Sequence, residues 1–219
     1  APATAARWDL HGLLVSLDDA ILDRHPGAGE WTARETLGHI VNGQRAYGWY
    51  TAWWAARPAT EPAPDGVPES VRDAAGLPDE EVEADGTLAE IRARFDEILD
   101  LSAGRLAHLE DDGLARPARW AGIPVTIGFR LGRWSSHVLE HTVQLDKAMT
   151  ALKRRPSEVE RLVRHIHAAY GRLEALVFPM PATLLVVPDA RGRSVDATLL
   201  GLGAELVADA RSAREAAGP

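Results

Sequence analysis

The sequence predicts an all-α protein, and three observations carry that reading. Apolar residues recur at three- and four-residue steps over long stretches, which places them on one face of a helix. Three of those stretches open on a capping box, Thr32-x-x-Glu35, Thr87-x-x-Glu90 and Ser157-x-x-Glu160, whose side chains satisfy the first free N–H groups of a helix. At 219 residues, 46% hydrophobic and 26% charged, the chain is long and apolar enough for one domain with a sizeable core.

The elements follow in order. Residues 3–23 set Leu10, Leu13, Leu14, Leu17 and Ile21 at helical spacing, and the stretch from His25 to Gly29 stops the helix. The second helix starts at Thr32 and runs to about residue 56, with Leu37, Ile40 and Val41 on one stripe. The third, from Thr87, carries Leu88, Ile91, Phe95, Ile98 and Leu106. The fourth spans about 126–152, with Ile127, Leu131, Trp134, Val138, His141, Leu145, Ala148 and Leu152 in one seam. The fifth begins after Pro156 and ends near Phe178. Beyond it, 182–187 (ATLLVV) reads as a short strand or an extended apolar segment, and 195–215 as an amphipathic helix with Leu199, Leu202, Leu206 and Val207.

Residues 57–86 hold five prolines and nine acidic residues without apolar periodicity, so they read as a long loop with one helical turn near 69–75. The second helix is about 37 Å long at about 1.5 Å per residue, and a connection of this length can run back along it. The second and third helices are then parallel, which gives an up-down-down-up four-helix bundle. Residues 1–178 are expected to form this bundle, and 179–219 a C-terminal extension packed on it.

Composition excludes several function classes. The net charge is −8 with no lysine-rich stretch, so nucleic acid is not expected as a partner. With no cysteine in the chain, disulfides, zinc-thiolate sites and a protein-borne thiol nucleophile are out; thiol chemistry here needs sulfur from a small molecule. No apolar run of about 18 residues suggests a membrane span, and the first residues lack a signal peptide's basic start and apolar stretch. A cytoplasmic protein is expected.

The chemistry concentrates in histidines. His137 and His141 lie four apart on a helix, so both imidazoles leave one face, one turn apart. A third histidine from another helix would complete an open three-nitrogen set suited to zinc, iron or nickel; His39, next to the core residue Ile40, is placed to face a neighbouring helix. His11, His25, His108, His165 and His167 are expected to be exposed or hydrogen-bonded; the last two, only two apart, point to nearly opposite sides of their helix. Around the three, Glu140 could hold the second nitrogen of His137, Gln144 could orient a ligand or substrate, and Arg133 could meet a carboxylate or stay solvated. Glu35 and Asn42 flank His39, with capping sufficient to explain Glu35. Tyr47, Trp49, Tyr50, Trp53 and Trp54 could line a pocket, though core packing or a subunit interface is their commoner use. The string His-Val-Leu-Glu-His also matches a zincin signature with Glu140 as general base, which requires a further ligand, usually a glutamate well downstream.

A tryptophan, a short polar step and then RETLGHI, with H-x-x-x-H-x-x-Q-L-D about a hundred residues on, resembles the DinB-like superfamily over about residues 5–178. That group includes the N-terminal domain of mycothiol-dependent maleylpyruvate isomerase and bacterial low-molecular-weight-thiol S-transferases. The resemblance implies an up-down-down-up bundle with a divalent metal (zinc, nickel or iron) on His39, His137 and His141. It further implies a small-molecule thiol and an electrophile as partners, in S-transfer or thiol-dependent isomerisation. The arginine-rich, GC-rich composition makes mycothiol the first thiol to consider. The isomerases carry a further C-terminal domain and the sulfoxide synthases a large catalytic one, so a stand-alone bundle is the better match. The rival readings are a metal- or ligand-binding bundle without catalysis, forming a homodimer through its tail helix, and the zinc hydrolase.

Overall fold

The computed structural model describes residues 2–58 and 60–217; residues 1, 59, 218 and 219, which include both ends of the predicted segments and one position of the 57–86 connection, lie outside the described residues. The chain divides into two compact units, Ala1–Ala175 and Leu176–Pro219. Regular structure in the first is α1 (Pro2–Leu14), α2 (Ala33–Ala56), α3 (Glu69–Ala75), α4 (Glu80–Glu83), α5 (Leu88–Leu106), a hairpin of β1 (Pro117–Trp120) and β2 (Ile123–Thr126), α6 (Ile127–Ala151) and α7 (Glu158–Val177), the last ending just past the boundary. The fold class is all-α, as the sequence predicts.

The predicted caps explain where the long helices begin. Thr32 and Glu35 form a complete capping box at the start of α2, as do Thr87 and Glu90 at α5. At α7, Ser157 N donates to Glu160 (2.6 Å) while Glu160 N donates to the Ser157 hydroxyl (3.2 Å). The first helix is shorter than expected. It ends at Leu14 because Asp18 accepts from Ile21 N (3.1 Å) and starts a separate 3₁₀ turn, Asp19–Ile21. Leu17 and Ile21 still reach the core.

One apolar core joins α1, α2, α5 and α6, with Leu10, Leu37, Ile40, Ile91, Phe95, Val138 and Leu145 almost fully enclosed. Each such side chain contributes about 1.5–3 kcal/mol relative to exposure. Contacts fix the helix directions. His11 meets Asp96 and Arg7 meets Asp100, so α1 and α5 are antiparallel. Arg34 reaches Gly86 just before α5 and Ser102 reaches Gln44, so α2 and α5 are parallel. His39 faces His137 and Thr51 faces Arg130, so α2 and α6 are antiparallel.

The parallel pair needs the connection of residues 57–86, and that segment holds more structure than the predicted loop. The turn near 69–75 is α3, ended by Gly76 in the left-handed region (φ 56°). The sequence reading has no counterpart to α4, which packs on α2. The hairpin before α6 was also without a predicted counterpart. Its two-residue turn, Ala121 (φ 49°) and Gly122 (φ 79°), is of the type that fits strand twist. Trp120 Nε1 donates to the Tyr47 hydroxyl (3.0 Å), which ties β1 to α2.

The second unit contains α8 (Ala182–Leu185) and α9 (Val195–Ala217). Residues 182–187 are therefore not a strand or an extended segment: Pro181 sets a helical φ and its carbonyl accepts from Leu184 N (2.8 Å). The turn before α9 is closed by Asp189, which accepts from Arg191 N and Arg193 N. No helix among the described residues is long and apolar enough to cross a membrane.

Candidate metal centre

The antiparallel crossing of α2 and α6 brings His39, His137 and His141 together. One ligand nitrogen from each lies within 4.8 Å of the others, and the ring centroids are 4.5–4.9 Å apart. His137 is buried, and it fits only because α2 has glycine at position 43: a Cβ there would stand 2.5 Å from His137 Cε1. The core seam of α6 accordingly differs by a fraction of a turn from the predicted one. His137 lies in it with Trp134, Val138 and Leu145, while His141 sits half-buried at its edge.

The outer nitrogens of two imidazoles are held. Glu80, on α4, bonds His39 Nδ1 (2.9 Å), and the Gln144 carbonyl oxygen accepts from His141 Nδ1 (2.7 Å). Each then carries a proton on Nδ1, which leaves Nε2 as the nitrogen available to a ligand. His39 Nε2 and His137 Nε2 are 3.1 Å apart; two nitrogens bound at about 2.0–2.1 Å to a tetrahedral ion stand about 3.3 Å apart. His137 Nδ1 is buried without a hydrogen-bond partner among the described residues. Burial, reinforced by the neighbouring His141 and His39, pushes the His137 imidazole down to about 3. Burial also lowers His141, against the opposing hydrogen bond from Gln144. Converging imidazole nitrogens are the donor set a divalent ion requires, and these residues fit one.

The other predicted neighbours are placed differently. Glu140 does not hold His137; it pairs with Arg133 (2.6 Å), which keeps its carboxyl low. Arg133 therefore has its carboxylate within the chain, and it also lies over the Trp120 ring. Glu140 is exposed and engaged in that pair, and the third histidine comes from α2, so the zincin arrangement is not formed. Asn42 turns away from the histidines and donates to the Pro78 carbonyl (2.8 Å). Gln144 is the one of the four that touches the trio.

Of the aromatic group on α2, Tyr47 packs on His137 (5.5 Å between centroids), while Trp53 and Trp54 belong to a separate core cluster near the hairpin. The aromatic residue that covers the site is Trp31, whose ring lies 5.0 Å from His39 and stacks on His141 at 6.2 Å. It precedes the Thr32 cap and is the tryptophan of the motif that carries the family resemblance, and those two positions were its sequence signals. A cavity of about 340 Å³ opens beside it, between Trp31, Arg34 and Glu35 on one side and Glu80, Glu81 and Asp85 on the other. The remaining histidines are apart from this group. His11 is buried against Asp96 (2.7 Å), His167 donates to the Val163 carbonyl (2.9 Å), and His25, His108 and His165 are exposed.

A family model of the DinB superfamily matches residues 3–145, which include all three histidines. The chain belongs to the DinB superfamily. No curated protein and no solved structure matches it.

Proposed function

We propose that this protein binds a divalent metal through His39, His137 and His141 and catalyses a reaction of a low-molecular-weight thiol with a small electrophile. The observation that carries the reading is the convergence of three imidazoles from two helices, with the outer nitrogens of His39 and His141 held by other side chains. A metal bound there would supply a Lewis acid that lowers the pKa of a thiol or water in an open position. The chain has no cysteine, so the thiol would come from solution.

The chain's own residues fit such a role. Gln144 and Glu80 fix the orientation of the His141 and His39 imidazoles. Trp31 covers the histidines on one side. The adjoining cavity is large enough for a small electrophile, at the lower end of the range of ligand pockets. Attack of the thiolate on an electrophilic carbon, with the C–S bond formed as the leaving group departs (chloride from monochlorobimane), is S-transfer; reversible addition to a double bond, followed by rotation and elimination of the same thiolate, is cis–trans isomerisation. Both begin with the same thiolate.

The test is incubation of metal-loaded protein with mycothiol, bacillithiol or glutathione and either monochlorobimane or maleylpyruvate. Metal-dependent turnover with at least one thiol, lost in His137→Ala, is expected. Metal binding without turnover for every pair would replace this reading with a non-catalytic metal-binding protein.

A further inference from the structure

Helix α4 is only four residues long, and a helix of that length does not persist without tertiary support. Its support is unusually extensive. Gly38 on α2 lets it dock: a Cβ there would lie 2.5 Å from the Glu80 carbonyl oxygen and 2.9 Å from the Ala84 Cβ. Glu83 is buried and pairs with Arg45 (2.6 Å). Arg34 donates to the carbonyls of Ala84 (2.7 Å) and Gly86 (2.8 Å), Arg94 to that of Glu83, and Asn42 to that of Pro78. A helix-interior glycine costs about 0.5–1 kcal/mol relative to alanine, and a buried acid carries a desolvation cost. Together these features hold one backbone segment at a fixed height on α2. The side chain which that segment delivers to the histidines is Glu80, 2.9 Å from His39 Nδ1.

We infer that Glu80 is a positioning residue, which presents His39 Nε2 to the metal and makes the connection between α2 and α5 part of the metal site. This rests on the metal centre proposed above. With Nδ1–H donating to a carboxylate, the His39 tautomer is set, its lone pair is on Nε2, and the ring cannot rotate without losing the bond. Without Glu80, the His39 ring would be oriented by packing on Trp31 and by its contacts with His137 and His141, with its Nδ1 unheld.

Competitive titration of the full-length protein with Zn²⁺ against a chromophoric chelator tests this. Glu80→Ala is expected to bind about 10–100-fold more weakly than wild type. Glu80→Gln should recover part of that loss, since its amide oxygen still accepts from Nδ1–H. Glu69→Ala is the control: Glu69 is exposed on α3 in the same connection and outside the cavity, so the variant removes the same charge and should bind as wild type. Metal-free melting temperatures of the two alanine variants should agree within about 2 °C. If Glu80→Ala is not folded, Glu80→Gln carries the test, with binding at least threefold weaker expected. Wild-type affinity in the Glu80 variants, or equal losses in Glu80→Ala and Glu69→Ala, overturns the positioning role. If His39→Ala also binds as wild type, it is the metal centre itself that fails; if His39→Ala loses the metal while Glu80→Ala keeps it, only the role of Glu80 fails.

Discussion

At His137 burial acts in the same direction as the neighbouring His141, His39 and Arg133, and together they outweigh the opposing pull of Glu140 and keep the imidazole neutral. The consequence for stability has a definite sign. The folded-state pKa is about 3, against about 6.5 in the unfolded chain. Between those values the unfolded chain binds a proton that the folded one does not, so stability is lost as pH falls from 6.5. The metal-free protein should therefore melt at progressively lower temperature from pH 6.5 to 4.5. His137→Gln should flatten that dependence by up to one proton; parallel slopes for the two proteins would contradict it. Gly43 carries a second expectation at this scale. Gly43→Ala gains about 1 kcal/mol of helix propensity, yet the new Cβ must displace His137. Zn²⁺ affinity is expected to drop at least tenfold with no gain in melting temperature, which titration and calorimetry would read together.

Among the elements, α4 depends most on a single buried pair. Glu83→Ala leaves Arg45 without its carboxylate and is expected to cost about 3 kcal/mol, measurable as a lower urea midpoint. A change below 0.5 kcal/mol would mean that Gly38 docking and the arginine-to-carbonyl bonds hold α4 unaided. The long helices were legible in the sequence because their signals are local: Thr32, Thr87 and Ser157 with a glutamate three residues on, and apolar residues at helical steps. The pair His137 and His141 was legible from its four-residue spacing, whereas His39 joined it only through the family resemblance, since its contact with α6 links residues far apart in the chain. Glu80 was not legible, because its role depends on a docking contact at Gly38 between segments forty residues apart, inside a stretch with no apolar period. Glu140 was misread for a related reason. Spacing three from His137 allows a contact, but Arg133, seven residues from Glu140, competes for the same carboxylate and carries a full charge. The hairpin at residues 117–126 had a two-residue Ala-Gly turn as its signal, too weak without the anchor that Tyr47 gives Trp120.

For the whole molecule, the histidines link the two antiparallel helices α2 and α6. An ion held by both elements binds the folded chain and not the unfolded one, so it stabilises by about 2.7 kcal/mol at a hundredfold excess over Kd. For a chain of this size that corresponds to a rise of roughly 5–10 °C in melting temperature, absent in His39→Ala and His141→Ala. The measurement that bears most directly on the centre is elemental analysis of protein purified without a histidine tag. About one equivalent of zinc, nickel or iron per chain is expected, falling to background in His137→Ala and in His141→Ala. Protein without stoichiometric metal, or with metal that both substitutions leave unchanged, would contradict the assignment of these three histidines as ligands.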